Sequence, residues 1–190
     1  MRTLISTAFI SLDGVVEDPG GQTEYRNGGW TFKAVDFVPE AYAIKGTEQE
    51  ESTAVLMGRT SYELFSPVWP GMAEFGHYKD LPKYVVSTTL RDDDLVSDWG
   101  PTTIVRSLDE VSALKETEGG PIIMHGSVTL NHALSDAGLI DRYNLLVFPL
   151  LLGAGQRLFS DTDKDTQKLT LVDSEVFSNG IQKNVFDVAH

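Results

Sequence analysis

The 190-residue sequence contains no cysteine. This absence excludes disulfide bonds, thiolate metal ligands and cysteine nucleophiles. A chain without cysteine is compatible with a reducing compartment, and we expect a cytoplasmic protein.

Long hydrophobic runs are also missing, since no stretch approaches the roughly 20 apolar residues of a transmembrane helix. Ser6, Thr7 and Ser11 interrupt the apolar start of the chain, which favours a first β-strand over a secretion signal. We therefore expect no association with a membrane.

Basic residues are few, with 15 Lys and Arg against 28 Asp and Glu and a net charge of −13. Nucleic-acid binding depends on neutralising phosphates with basic side chains, so this balance argues against a nucleic-acid partner. An anionic small molecule remains compatible with the charge, because arginines and helix N-termini can make one pocket locally positive.

Apolar, β-branched segments alternate with helical patterns along the whole chain, without repeats or a linker. This alternation predicts one α/β domain over residues 1–190, with a mixed, mainly parallel sheet flanked by helices and a C-terminal antiparallel hairpin. The predicted strands are 3–12, 53–57, 84–88, 102–105, 122–124, 143–152, 169–177 and 181–188. The predicted helices are 37–50, 60–65, 107–118 and 129–137, and Ser107 with Glu110 forms a capping box.

Three predicted strand-to-helix turns carry groups suited to phosphate. Gly58 permits a bend, Arg59 supplies a guanidinium and Thr60 a hydroxyl. Ser87 and Thr88 follow the next strand, and a third turn contains Gly126, Ser127, Val128 and Thr129. The first turn alone is more typical of an ordinary N-cap beside a solvated arginine, the second alone is a common loop pattern, and the third alone could be a simple helix cap. Because parallel strands end at one edge of a sheet, the three together predict a ligand site there.

The same segments resemble a known family. Residues 55–63, 83–90, 122–134 and 138–159, with the opening Ser11-Leu-Asp-Gly14, are similar to the dihydrofolate reductase superfamily, and most to its riboflavin-biosynthesis reductase branch, the RibD C-terminal domain. The resemblance covers nearly the whole chain in consistent order. It implies a dihydrofolate reductase-like fold.

The resemblance also implies NADPH as the cofactor. Arg59 and Thr60 would then hold phosphates, with Arg59 near the 2′-phosphate, and Ser87 and Thr88 would line the adenosine end. The turn Gly126-Ser127-Val128-Thr129 would pass under the pyrophosphate, and Leu12, Gly14 and Val15 would border the nicotinamide. Gly58, in the first turn, would also belong to the cofactor site. Relatives often carry a basic residue after the strand, where Thr88-Thr89 stand here. The preference for NADPH over NADH therefore stays open.

A second departure is His125-Gly126, where relatives usually have two glycines joined by a cis peptide. A cis bond after a non-glycine residue is costly, so either the fold imposes it or the turn is built differently. The side chain of His125 is more typical of packing than of catalysis.

No catalytic acid is selected by the sequence. Folate reductases carry a carboxylate on the first helix, but the corresponding position here falls near Tyr42, so we do not expect dihydrofolate as substrate. Asp13 and Asp36 are candidates, with Glu40 nearby. Asp13-Gly14 is first of all a turn signal, and Asp36 and Glu40 are typical of a helix N-terminus.

Aromatic residues in the loop before the first helix are candidates for substrate contact. Trp30 and Phe32, with Tyr25, would stack on a flat heterocycle or form an ordinary apolar cover. Lys33 and Arg26 would meet an anionic tail. The resemblance implies a pyrimidine or pterin-like substrate, such as 5-amino-6-(5-phosphoribosylamino)uracil.

We expect no metal, because the four histidines, His77, His125, His132 and His190, lack ligand spacing. The acidic runs 48–51 and 92–94 are typical of solvated faces. Relatives suggest a homodimer, in which the apolar run 145–152 would contribute to an interface or form a buried strand. The alternatives to a reductase are an NADP(H)-binding regulatory module without turnover and an assembly protein.

Overall fold

A computed structural model of the protein describes residues 1–162 and 165–189. Its centre is one eight-stranded sheet. The strands are β1 (Leu4–Ser11), β2 (Ala54–Gly58), β3 (Lys83–Val86), β4 (Thr102–Val105), β5 (Ile122–His125), β6 (Arg142–Phe148), β7 (Leu169–Val176) and β8 (Gln182–Val188). The helices are α1 (Trp30–Lys33), α2 (Ala43–Glu51), α3 (Arg59–Phe65), α4 (Leu108–Lys115) and α5 (Val128–Asp136). Four short 3₁₀ helices cover Pro39–Tyr42, Trp69–Gly71, Ala73–Lys79 and Asp92–Asp94.

The strand order is β4-β3-β2-β5-β1-β6-β8-β7. The first six strands in this order are parallel, β8 runs antiparallel to β6, and β7 runs antiparallel to β8. The predicted fold class, a mainly parallel mixed sheet that ends in an antiparallel hairpin, is therefore confirmed. The carboxyl ends of β1, β2, β3, β5 and β6 consequently meet at one edge of the sheet.

Both faces of the central strands are covered, as expected for parallel strands rich in apolar residues. On one face, Leu4, Leu56 and Met124 pack with residues of α4 and α5. On the other face, Ile5, Val55 and Ile123 pack against an aromatic cluster that contains Tyr62, Trp69, Tyr78 and Trp99. The second face also carries α2, whose Glu48 contacts Thr7 of β1.

Several boundaries differ from the sequence-based prediction. The predicted helix 37–50 begins as the 3₁₀ turn Pro39–Tyr42 and continues as α2. The predicted strand 143–152 ends at Phe148, because Pro149 has no N–H to donate to the sheet. Leu145 and Leu146 are buried within β6, so the run 145–152 begins as a buried central strand.

The capping residue Ser107 is confirmed, since its hydroxyl accepts a hydrogen bond from the Glu110 N–H at 3.2 Å. The return bond is shifted by one residue, because the Glu110 carboxylate accepts from the Arg106 N–H. Within the described ranges, no helix is long and apolar enough to cross a membrane, and no group of three potential metal ligands occurs. His190 lies outside the described residues.

Candidate active site

The first and third predicted turns are joined by hydrogen bonds at the carboxyl edge of the sheet. The Gly58 N–H donates to the Ser127 hydroxyl at 2.7 Å, and that hydroxyl donates to Ser61 Oγ at 2.7 Å. A Cβ atom on Gly58 would lie 3.3 Å from Ser127 Oγ. A side chain at position 58 would therefore crowd the contact that ties β2 and α3 to the start of α5.

Two guanidinium groups surround the second turn. Arg59 Nη1 donates to Thr89 Oγ1 at 2.9 Å while its Nε donates to Glu63 at 2.7 Å, and Arg106 Nη1 donates to the Ser87 carbonyl at 2.8 Å. The Ser87 hydroxyl accepts from the N–H groups of Thr89 and Leu90, so it shapes the turn. Each guanidinium keeps further N–H donors beyond these contacts.

Thr60 and Thr88 are exposed beside these arginines. Val128 and Thr129 form the first turn of α5, with Thr129 exposed. The residues predicted around the phosphates therefore lie along one edge, and Arg106 joins them although the sequence analysis did not select it.

The turn from β5 into α5 is built without a cis peptide, and no cis bond occurs anywhere in the described chain. Instead Gly126 and Ser127 both have positive φ, at 63° and 62°. Of the two alternatives for His125-Gly126, the structure therefore shows a differently built turn. A non-glycine residue in the left-handed region is uncommon, and such residues cluster at functional sites.

The segment Leu12–Val15 lies at the end of β1. Leu12 is 67% exposed, whereas Val15 is buried against Gly155. The Asp13 carboxylate accepts hydrogen bonds from the Ser11 hydroxyl at 2.6 Å and from the N–H groups of Leu152 and Gly153. These bonds clamp two loops together.

The hydrogen bond from Ser11 lowers the pKa of Asp13 to about 2 against the opposing effect of burial, and the Gly153 and Leu152 N–H groups lower it further. Asp13 is consequently ionised near neutral pH and has no proton to donate. Asp36 is exposed, and its backbone carbonyl accepts from the Asn179 side chain.

Trp30 and Phe32 occupy different environments. Trp30 is 2% exposed, its indole N–H donates to the Glu17 carbonyl at 2.9 Å, and its ring meets Phe148 edge-on. Phe32 is 65% exposed and borders a depression of about 510 Å³ that also contains Lys33, Asp36, Pro149, Leu150 and Asn179. Phe32 is thus accessible to a ligand, while Trp30 supports the loop from beneath.

A buried carboxylate missed by the sequence analysis lies on the face of the sheet under α2. Glu48 is 4% exposed, and its Oε1 accepts from the Thr7 hydroxyl at 2.7 Å and from Asn144 Nδ2 at 2.8 Å. Its Oε2 pairs with Lys45 Nζ at 3.2 Å, and the same ammonium contacts the Thr7 hydroxyl. The expectation that residues 48–51 form a solvated face is wrong for Glu48, because α2 turns this residue toward the sheet.

The sequence contains a signal for this cluster. Lys45 and Glu48 are three residues apart and share one helix face. Thr7 and Asn144 are polar residues in the middle of apolar central strands, where a polar group requires a partner. Glu48 belongs to the acidic run 48–51, so its sequence context did not distinguish this inward-facing carboxylate from the exposed carboxylates beside it.

His125 extends this polar row across the sheet. Thr7 is the register partner of His125 on one side and of Asn144 on the other, so the three side chains share a face. His125 Nε2 lies 2.9 Å from the Tyr78 hydroxyl. Burial, with a smaller contribution from Lys45, lowers the pKa of His125 to about 4 despite the opposing effect of Glu48, and burial raises the pKa of Tyr78. Both groups are therefore neutral near pH 7.

Comparison with solved structures supports this view of the fold. A Shewanella sp. PV-4 protein whose name assigns it to riboflavin biosynthesis matches over the full length of both chains, with a TM-score of 0.74 and 18% identity. A pyrimidine reductase-like protein from Corynebacterium diphtheriae matches with a TM-score of 0.64 and 13% identity over 100% of this chain and 92% of its own. Enterococcus faecalis dihydrofolate reductase in complex with NADP(H) matches with a TM-score of 0.60 and 13% identity over 99% and 97%.

The architecture is therefore dihydrofolate reductase-like. The model of the RibD C-terminal domain matches residues 2–183, and the chain belongs to that family, whose fold is reductase-like. Among curated proteins, the uncharacterised protein YyaP of Bacillus subtilis (strain 168) is 27% identical over 97% of this chain and 94% of its own. The expected membership is thus confirmed.

Proposed function

We propose that this protein is an NADPH-dependent reductase that transfers hydride to a small heterocycle, of the pyrimidine class or pterin-like, such as 5-amino-6-(5-phosphoribosylamino)uracil. The observation that carries the proposal is the joined edge in which Gly58, Ser61 and Ser127 bring two turns together beside Arg59 and Arg106. Membership of a reductase-like family and a fold shared with an NADP(H)-bound enzyme support it.

The residues at this edge fit a dinucleotide. Gly58 and Gly126 lack the side chains that would fill the space beside Ser127 and Ser61, and a Cβ on Gly126 would lie 3.5 Å from Ser61 Oγ. Free guanidinium N–H groups of Arg59 and Arg106 offer charge-assisted hydrogen bonds to a phosphate. The bound nicotinamide would supply the hydride, and the protein would orient it and exclude water.

The loop after β1 would border the nicotinamide. Leu12 presents an exposed apolar side chain, and the Asp13 carboxylate fixes this loop against residues 152–153. Gly14 has a φ of 87°, a conformation that glycine adopts without strain. These contacts would hold Leu12, Gly14 and Val15 in one arrangement while the ring binds.

We propose Glu48 as the carboxylate that faces the substrate, in preference to Asp13 and Asp36. Asp13 holds two loops together at the end of β1, Asp36 is exposed, and neither belongs to the polar row that crosses the sheet. Glu48 lies under the middle of β1 and β6, with Lys45 as its ion pair and Thr7 and Asn144 as donors, and Thr7 links it to His125 at the carboxyl end of β5. A buried carboxylate held by three donors orients N–H groups of a ring and holds a proton network in place.

The accessible ring of Phe32 and the ammonium of Lys33 would form the outer part of the substrate site. Both border the depression at the end of β6. Lys33 donates to the Gly28 carbonyl at 2.6 Å and retains further N–H donors for an anionic tail. This arrangement suits a flat ring that carries a phosphorylated sugar.

The alternative, an NADP(H)-binding module without turnover, has less support from the geometry. A module that only bound nucleotide would have no use for the Lys45–Glu48 pair, whose removal from water is costly. The loop 13–30 is also tied down, because Trp30 and Thr31 bond to the carbonyls of Glu17 and Pro19. We propose a cytoplasmic enzyme without a metal, membrane or nucleic-acid partner.

The test is NADPH oxidation, followed by nicotinamide absorbance, against a panel of aminouracils and pterins. We expect oxidation with at least one acceptor and its loss in Glu48→Gln. Glu51→Gln serves as the matched control, because Glu51 is the exposed last residue of the same helix. Tight NADPH binding without oxidation by any acceptor would instead favour the module without turnover.

A further inference from the structure

His125 is the last residue of β5 and directly precedes the left-handed pair Gly126-Ser127. Its ring meets Trp69 edge-on at 5.3 Å between centroids and Tyr78 at 5.3 Å. These two contacts and the bond to the Tyr78 hydroxyl fix the orientation of the imidazole. The proposed function assigns no role to this side chain.

The bond to Tyr78 selects one tautomer of the imidazole. Tyr78 is fully buried, and within the described part of the chain its hydroxyl has His125 Nε2 as its hydrogen-bond partner. A buried hydroxyl donates its proton where an acceptor is within reach. Nε2 is therefore the acceptor, and in a neutral ring the remaining proton must sit on Nδ1.

The Nδ1–H group has no acceptor among residues 1–162 and 165–189. The adjacent Thr7 oxygen is already engaged by Lys45 and Glu48. His125 is half-buried, and its Nδ1 is not a sealed polar atom without a partner, so this donor is open to a ligand. A fixed donor at the end of β5 is thus open at the edge where the cofactor and substrate would meet.

We propose that His125 donates a hydrogen bond from Nδ1 to an amide-type carbonyl oxygen of a bound ligand, with Tyr78 as the positioning residue. The inference rests on the proposed function, and two ligands offer this oxygen, the nicotinamide carboxamide and a uracil-type ring carbonyl. An unoriented imidazole would present either nitrogen. Because the Tyr78 hydroxyl occupies Nε2, His125 presents the Nδ1–H donor to the ligand. This donor pairs with a carbonyl oxygen of the ligand and not with a ring N–H, which is itself a donor.

The tautomer is measured by nitrogen NMR of the histidine rings in the wild-type protein, before and after addition of NADP⁺ and then of 6-aminouracil as a probe. We expect an Nδ1–H tautomer for His125 in the free protein and a shift of Nδ1 when the carbonyl binds. Tyr78→Phe is expected to mix the two tautomers. Tyr84→Phe is the matched control, because the described residues offer its hydroxyl no hydrogen bond. An Nε2–H tautomer in the free wild-type protein overturns the proposal.

The ligand is identified by affinity in His125→Phe, with His77→Phe as the control because His77 is exposed on the neighbouring 3₁₀ helix. Loss of one neutral hydrogen bond should weaken binding by about three- to tenfold. Weaker binding of NADPH identifies the carboxamide, and weaker binding of 6-aminouracil alone identifies the ring carbonyl. His125→Asn, which keeps a donor near the Nδ1 position, should recover part of the affinity.

The two hypotheses fail in different ways. If the wild-type protein does not bind NADPH, the proposed function and this inference both fall. Suppose that the wild-type protein binds NADPH and that folded His125→Phe binds NADPH with the same affinity. If the variant also binds 6-aminouracil as the wild type does, or if neither protein binds it, only the proposed role of His125 is wrong. Thermal unfolding checks that each variant is folded. If His125→Phe does not fold, the tautomer measured in the wild-type protein still tests the proposal.

Discussion

The carboxylate of Glu48 is surrounded by the Thr7 hydroxyl, the Asn144 amide and the Lys45 ammonium, all inside an apolar sheet face. Burying a charge is unfavourable unless it is paired and hydrogen-bonded. Each member of this cluster therefore depends on the others, and removal of one partner leaves an unsatisfied group. This dependence gives the first prediction.

Glu48→Gln should lower the free energy of unfolding by about 1–3 kcal/mol, because it leaves the Lys45 ammonium without its counter-charge. Lys45→Met combined with Glu48→Gln should recover part of this loss, since the orphaned cation is then absent. Urea unfolding of Glu48→Gln, of Lys45→Met and of the double variant measures the coupling free energy between the two side chains. Strictly additive losses would mean that the two side chains act independently.

Asp13 gives a pH-dependent prediction. Its folded-state pKa of about 2 lies below the ordinary aspartate value of 3.8, so its contribution to stability is present above pH 4 and lost as the pH falls through 2. The difference in unfolding free energy between wild type and Asp13→Asn should therefore be constant above about pH 5 and shrink toward pH 2. Thermal unfolding across this range measures it. A difference that grows on acidification would contradict the clamp.

Site residues could be predicted from the sequence where a short local pattern marks them, and not where their place depends on distant parts of the chain. Gly58 and Ser127 occur in strand-to-helix turns, which short sequence patterns reveal. Arg106 directly follows β4 and donates to the Ser87 carbonyl after β3, a contact that depends on strand order. Glu48 was missed because the rotation of α2 about its axis decides which of several adjacent acids points inward.

The turn between β5 and α5 depends on backbone conformation. Gly126 has φ of 63°, which a residue with a Cβ adopts only with strain. Gly126→Ala should lower the unfolding free energy by about 1–2 kcal/mol and weaken NADPH binding. Chemical denaturation and nucleotide titration measure the two effects, and an alanine variant of wild-type stability would contradict this turn geometry.

Gly46 provides the matched control within a helix. It lies inside α2, and a Cβ placed there would meet nothing within 4 Å. Gly46→Ala should raise the unfolding free energy by about 0.5–1 kcal/mol, because alanine loses less backbone entropy on helix formation. A decrease in unfolding free energy for Gly126→Ala and an increase for Gly46→Ala, measured in one denaturation experiment, would show that position 126 requires the positive φ of glycine. Helix propensity alone would favour alanine, as at position 46.

Elements with a clear period were predicted well, and irregular ones were not. The central strands were predicted from their short apolar, β-branched runs, and α4 from the Ser107 cap. The 3₁₀ helices Trp69–Gly71 and Ala73–Lys79 were missed, because ring stacking holds them in place. Trp69 stacks on Phe65 and Phe75 with 4.1 Å between centroids. Such contacts leave no periodic pattern in the sequence.

At the level of the whole molecule, the sheet ends in an unprotected edge. All eight residues of β7 are exposed, including Leu171 at 53% and Val176 at 72%. An exposed, apolar edge strand readily pairs with another strand. We propose that the expected homodimer forms here rather than through the run 145–152, whose leading residues are buried in β6.

Light scattering should then report a dimer at micromolar concentration, and a double change of Leu171→Lys and Val176→Lys should give a folded monomer. Leu151→Lys is the control, because Leu151 is exposed at a distance along the chain from β7. A wild-type monomer would contradict the homodimer. A dimer that persists in the double variant would place its interface on another surface.

The overall charge of −13 gave no indication of the arginines at the carboxyl edge. Net charge is a sum over the surface, whereas ligand binding depends on the few groups that line one cleft. Arg59 and Arg106 lie together because β2, β3 and β4 are neighbours in the sheet. The fold class and the place of Arg59 at this edge were predictable from the sequence, but the contribution of Arg106 required the strand order.

The most direct test of the account is calorimetric titration of the folded protein with NADPH, in parallel with Arg59→Ala, Arg106→Ala and Arg142→Ala. Arg142 begins β6 at the opposite end of the sheet and pairs with Asp187, so it serves as the control. We predict tight binding in the wild type and the control, with affinity about tenfold or more weaker in the first two variants. Failure of the folded wild type to bind NADPH would contradict the proposed reductase.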